Sequence, residues 1–268
     1  MSEAHVESIH TRIWREEPEA DNPFATKAAY CHGYDVYGEM LGQARWVDML
    51  YLLLRGETPT PVQADLLETL AIALANPGPR EPSVHAAMCG GVAGSTAAAS
   101  LMAALSVGAG RYGGAREVFD AMAIWITCGN DLLSLVTHLT GKPPENTDIW
   151  PAAEHAAGFD PHGESCATIV SQTLDKLASM GDSPRLAWLI AHRQALEAAL
   201  GLPVSISGVA AVALVDLGFS PRQGEMLYLM LRLPGAAAHA LEQEEYGFKR
   251  FPFYPVELED KPERQVTK

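Results

Sequence analysis

Apolar positions recur three and four residues apart along most of this chain, and almost nowhere do they alternate with the two-residue period of a strand. The spacing predicts a helix over Trp46–Leu54, closed by Arg55-Gly56. Thr60, Pro61 and Gln63 form a capping box with proline in the first turn, after which Val62, Leu66, Leu67, Leu70, Ala71 and Leu74 share one face. Ala75–Ser83 reads as a loop from its Pro and Gly content. Beyond Arg116 helical spacing continues to about Leu139, with a break at Gly129-Asn130, and Gly141–Ser165 is the longest irregular stretch. Cys166–Met180 reads as a helix, and Ser183-Pro184 opens another that ends at Gly201. Leu202–Gly208 leads tightly into a buried helix that stops at Gly218. Ser220-Pro221 with Gln223 repeats the capping chemistry, and Leu231–Gln243 reads as a further helix restarted at Pro234. Cys31–Leu41 is a turn into a short helix, Met1 to about Asn22 a polar, acidic arm or extended segment, and the Pro-rich tail is extended. The expected fold class is all-α.

The stretch from Ser83 to Arg116 organises the rest. Between Ala86 and Gly110 no residue is charged and most are Ala, Gly or Ser. That length matches a membrane span, but such small side chains supply little transfer energy into lipid. A pair of helices broken near Gly94-Ser95 fits better. Small faces let other helices approach closely, either inside one subunit or across a dimer. The run ends in Gly110–Arg116, a Gly-rich turn that opens another helix and where a ligand is expected to meet backbone.

The chain has 268 residues, 48% hydrophobic and 19% charged, enough for a large core. A formal net charge of -14 argues against a nucleic-acid partner, which rewards clustered Lys and Arg. Cys31, Cys89, Cys128 and Cys166 are scattered without CxxC spacing and the nine histidines show no HExxH or HxxxH pair. Neither a disulfide framework nor a metal is expected, and reduced thiols fit a cytoplasmic location. The segment MSEAHVESIHTR has no apolar core or basic leader, so no signal peptide and no membrane association are expected.

Four segments, in order, resemble one family. GYDVYGEMLGQARWVDMLYLLLRGETPT is similar to the GYDI…VLYLLLxGELP stretch of citrate synthases, and GRYGGAREVF sits where they carry GPLHGGANEAV. LPVSISGVAAVALVDLGFSP resembles their LPVN(I/V)DG…LxDLG segment, and LRLPGAAAHALEQ their R(I/V)PG…AHxxEQ segment. The resemblance covers roughly Tyr34 to Tyr254, and the length is closer to the citryl-CoA lyase-like members. It implies a multi-helix subunit with a large lobe (about 23–140 and 219–268) and a small lobe (about 158–218) following an arm over 1–22. It further implies a homodimer that binds a coenzyme A thioester and a small oxo acid between the lobes, with no covalently bound cofactor.

Family chemistry forms or cleaves a carbon–carbon bond next to a thioester, using a carboxylate base and two histidines. The matching positions here hold Pro77, Tyr112 and Ser207. Proline donates nothing, tyrosine brings no positive charge, and serine is no base unless activated. The resemblance therefore implies altered or lost chemistry, the alternative being a non-catalytic paralogue that binds CoA or an oxo acid as a regulatory or structural subunit. Candidate catalytic residues are Tyr112, Ser207 and His85, which lies eight residues beyond Pro77 on the following helix. Asp160 and His162, on a reduced GFDPHGE loop (Gly158–Glu164), and Arg80, in the NPGPREPS stretch, are further candidates. Arg232 matches the arginine that grips the oxo-acid carboxylate, and Arg250 or Lys249 the C-terminal arginine that reaches the neighbouring subunit's site. Gly113 and Gly114 allow close backbone approach to a thioester, and Arg116 is a candidate for a CoA phosphate. A carboxylate and an imidazole brought together beside Tyr112 would overturn the view that the proton-moving groups are gone.

Overall fold

A computed structural model describes residues 9–140, 155–252 and 254–256 of the chain. Among these residues ten α-helices carry the structure: α1 (Trp46–Arg55), α2 (Pro61–Leu74), α3 (Pro82–Val92), α4 (Ala97–Gly108), α5 (Ala115–Cys128), α6 (Leu132–Thr140), α7 (Thr168–Ala178), α8 (Pro184–Leu200), α9 (Ile206–Asp216) and α10 (Pro221–Tyr246). The irregular stretch expected over Gly141–Ser165 lies outside the described residues up to residue 154.

Local chemistry sets most helix ends. Thr60 caps α2 and Ser220 caps α10, each with the reciprocal bond from glutamine three residues on, and proline occupies both first turns. Gly56 and Gly201 close α1 and α8 in the left-handed conformation. α9 is buried almost all round, from Ser207 to Val215, and packs against α5 and α8 in the main core.

The small residues of α3 and α4 are used inside the subunit. A methyl at Gly91 would overlap the Ala240 carbonyl oxygen of α10, and one at Gly90 would meet Ser100 Oγ of α4 at 2.6 Å. α3 therefore lies against both neighbours at backbone distance.

Two sequence expectations change. The N-terminal arm holds β1 (Trp14–Pro18), which pairs antiparallel with β2 (Thr26–Cys31), and β2 pairs with β3 (Tyr34–Asp35) ahead of a π-type turn over Val36–Met40. The sheet is small, its first strand is largely exposed, and it leaves the class helical. The expected restart at Pro234 does not occur, because α10 runs unbroken through it. Proline removes one ladder donor and disturbs the turn before it. The next N–H, that of Gly235, bonds the Ala75 carbonyl in the α2–α3 loop at 2.7 Å. The loop thus takes over the hydrogen bond, and a side chain at Gly235 would collide with it.

Candidate functional site

Glu117 lies in the first turn of α5 and is 3% exposed. One carboxylate oxygen, Oε1, accepts from the Gly158 N–H at 2.9 Å and from the Ser207 hydroxyl at 2.7 Å. The other, Oε2, accepts from the Gly113 N–H and faces His155 Nε2 at 3.8 Å. The ring of Tyr112 lies on that of His155, centroids 5.4 Å apart, and Tyr112 is 51% exposed. A carboxylate and an imidazole therefore do meet beside Tyr112, and the expectation that the cleft keeps no such pair is corrected. Neither Glu117 nor His155 was legible as a site residue. Glu117 sits among Arg116 and Asp120 in an ordinary helical pattern, and His155 in an irregular stretch without motif.

Three elements converge on Glu117 because backbone meets backbone behind it. A methyl at Gly208 would overlap the Gly158 carbonyl, which accepts from the Ser205 N–H at 3.0 Å, and the Asp160 N–H bonds Pro203 O at 2.8 Å. Phe159 and Val204 form a single β-bridge between these segments. Ser205 caps α9 and its hydroxyl lies 2.6 Å from that of Ser207. Ser207 thus acts as a donor that orients Glu117.

A second cluster holds the Gly-rich turn from the other side. The Gly113 carbonyl accepts from Arg232 Nη1 at 3.1 Å and from the Tyr228 hydroxyl at 3.4 Å. Arg232 is buried, and its Nη2 is 2.6 Å from Glu81 Oε1. Glu81 in turn caps α3 through Oε2, accepting from the Ser83 and Val84 N–H groups and the Ser83 hydroxyl. Burial is the main cause that pushes the Tyr228 phenol up to about 12; Arg232 opposes it, while Glu117 and Glu81 add to it. The expected carboxylate clamp, Arg232, therefore enters an internal ion pair.

Apart from Gly113 and Gly114, which form the turn at this centre, the remaining candidates make their contacts elsewhere. His85 is half-buried on α3, its ring 6.1 Å from that of Phe251. Pro77, Arg80, Lys249 and Arg250 are exposed. Asp160 accepts from the His162 N–H within its own loop, and the His162 side chain is exposed. Arg116 lies over the Phe119 ring at 3.9 Å and pairs with Asp120 at 3.5 Å. Burial raises the Asp120 pKa, against the pull of Arg116 and Arg111. Gly114 is buried, with a Cβ there overlapping the Gly110 carbonyl, whereas Gly113 (φ 67°) is exposed. Among the described residues no group of three or more His, Cys, Asp or Glu could hold a metal ion, and no helix is long and apolar enough to cross a membrane.

No protein-family model matches the sequence, and no curated protein matches it. Solved structures do. Citryl-CoA lyase from Hydrogenobacter thermophilus superposes with a TM-score of 0.71 at 18% identity, over 97% of this chain and 98% of that one. ATP citrate lyase from Methanothrix soehngenii, in complex with citrate and coenzyme A, gives 0.73 at 16% identity over 98% of this chain, which spans 44% of it. Citrate synthase from Thermoplasma acidophilum gives 0.58 at 15% identity, over 83% of this chain and 60% of that one. The helical fold of this chain is thus similar to that of citryl-CoA lyase and citrate synthase.

Proposed function

We propose that the chain acts on acyl-CoA thioesters, forming or cleaving a carbon–carbon bond next to the thioester carbonyl, with the acid–base work moved onto Glu117 and His155. The observation that carries this reading is the 3.8 Å approach of Glu117 Oε2 to His155 Nε2 beneath Tyr112. In the bond-forming direction the pair takes the α-proton of the thioester. The carbanion so formed attacks the carbonyl carbon of the second substrate, and the new alkoxide takes a proton from the Tyr112 hydroxyl, which regains one from the pair through the adjoining His155 ring. Cleavage is the reverse. A positioned acid–base group contributes about 10²–10⁴ in rate. Coenzyme A would lie over the Gly113-Gly114 turn, with Arg116 near its phosphates, in a cleft between the two lobes.

A second reading, a non-catalytic subunit that binds CoA or an oxo acid, is favoured by the low exposure of Glu117 and by its bonds to three donors of the chain itself. We further propose a cytoplasmic homodimer built on α3, α4 and α10, whose outer faces expose Met102, Val107, Met226 and Met230; light scattering on the purified protein checks this.

The catalytic test incubates the protein with citryl-CoA, and separately with acetyl-CoA or propionyl-CoA plus a series of 2-oxo acids and aldehydes, following product mass. Turnover that falls at least about 100-fold in His155→Ala while CoA still binds supports the enzyme. No turnover with a thermal shift on CoA supports the binding subunit. No shift with any CoA species sinks both.

A further inference from the structure

The guanidinium behind the Gly113 peptide of the candidate site already has its carboxylate. Arg232 gives one nitrogen to Glu81 at 2.6 Å and another to the Gly113 carbonyl at 3.1 Å, and it is 6% exposed. Glu81 is fixed in that pose because its second oxygen caps α3. An outside carboxylate arriving here would meet two buried or half-buried carboxylates, Glu81 and Glu117, and a cation whose charge is spent. At Arg232 it would have to leave water without gaining a counter-charge, which is costly. A carbonyl or hydroxyl with uncharged neighbours meets no such penalty.

Resting on the function proposed above, we infer that Glu81 is a specificity element: it holds Arg232 internally, and the site therefore takes 3-hydroxyacyl-CoA thioesters, or the acyl-CoA and aldehyde or ketone from which they form, whose reacting carbon bears uncharged substituents. Thioesters that carry carboxylates at that carbon are rejected. Carbon balance needs no further reactant. The C3 hydroxyl proton passes through Tyr112 to the acid–base pair, the C2–C3 bond breaks to release the aldehyde or ketone, and the thioester carbanion takes the proton back from the pair at C2.

The test compares affinities by calorimetry for 3-hydroxybutyryl-CoA, with a methyl at C3, and citryl-CoA, with carboxylates there. The wild-type chain binds the first at least about tenfold more tightly. Glu81→Gln keeps an acceptor for the α3 cap but frees Arg232, and it shifts the ratio at least about tenfold toward citryl-CoA, the size expected when a buried charge gains a partner. Equal or tighter binding of citryl-CoA by the wild type overturns the inference without recourse to any variant. An unchanged ratio in a folded Glu81→Gln protein does so too. CoA bound but the two esters not distinguished sinks this inference alone, whereas no binding of CoA or either ester sinks the proposed function with it.

Discussion

Replacing Glu117 is the most direct test of how this site is held together. Glu117→Ala removes the acceptor of the Gly158 N–H, which is buried, and of the Ser207 hydroxyl, which is left only Ser205. It also removes the acceptor of the Gly113 N–H, which is near enough to the surface to find water. A buried donor left without a partner costs about 1–3 kcal/mol. Two such donors give roughly 2–5 kcal/mol, the Ser207 share being the smaller. Glu117→Gln keeps the volume and one acceptor oxygen, which can still serve Gly158 and Ser207. Its amide nitrogen then faces the Gly113 N–H, donor against donor, for about 1–3 kcal/mol. The expected order of stability is wild type, Gln, Ala. Urea unfolding followed by circular dichroism, with unchanged slope, measures it. Both variants within about 0.5 kcal/mol of wild type would refute the view that this carboxylate ties α5 to the Gly158 loop and to α9.

Gly91→Ala gains about 1 kcal/mol of helix propensity, but its methyl meets the Ala240 carbonyl, and overpacking costs about 1–3 kcal/mol or more. Net destabilisation by thermal melting is expected, and a stabilised variant would show that α3 and α10 are not in backbone contact. Tyr228 is neutral in the fold up to about pH 12 against an ordinary value of 10.0. A raised pKa means stability that is whole below pH 10 and lost as pH rises from 10 through about 12, by roughly 2–3 kcal/mol. Tyr228→Phe should remove that part of the alkaline loss in urea titrations, and equal alkaline slopes would contradict the burial. Ser207→Asp puts a second carboxylate within hydrogen-bond reach of Glu117, so one of the two must hold a proton. The variant should be less stable than wild type at pH 7 and recover part of the loss near pH 5; a loss that grows on acidification counts against it.

What the sequence disclosed was local. The Thr60–Gln63 and Ser220–Gln223 boxes need four consecutive residues, and both formed. The buried α9 announced itself as an apolar run without polar faces. What stayed hidden depended on distant partners. Trp14–Pro18 has the composition of a solvated arm, and only the ladder to Thr26–Cys31 makes it a strand. Pro234 reads as a helix break until the Ala75 carbonyl supplies a partner for Gly235. Ser207 was found by its position, but its role depends on Glu117, ninety residues earlier in the chain. Arg232 was found by its motif, and its partner Glu81 lies in what reads as a Pro-rich loop.

Under the proposed chemistry, anchoring and proton transfer are compatible in one carboxylate because its two oxygens face different surroundings. Oε1 takes both bonds that join α5 to the Gly158 loop and α9, so it carries the structural load. Oε2 bonds a single peptide, that of Gly113, and looks toward His155. That peptide is held from behind by Arg232 and Tyr228, which fixes its N–H against Oε2. Under the proposed chemistry the pair takes the place of the carboxylate base that the resemblance to citrate synthases would put at the 207 position. Ser207 then no longer acts on substrate; its hydroxyl steers Oε1 away from His155 and leaves Oε2 as the oxygen that faces the imidazole.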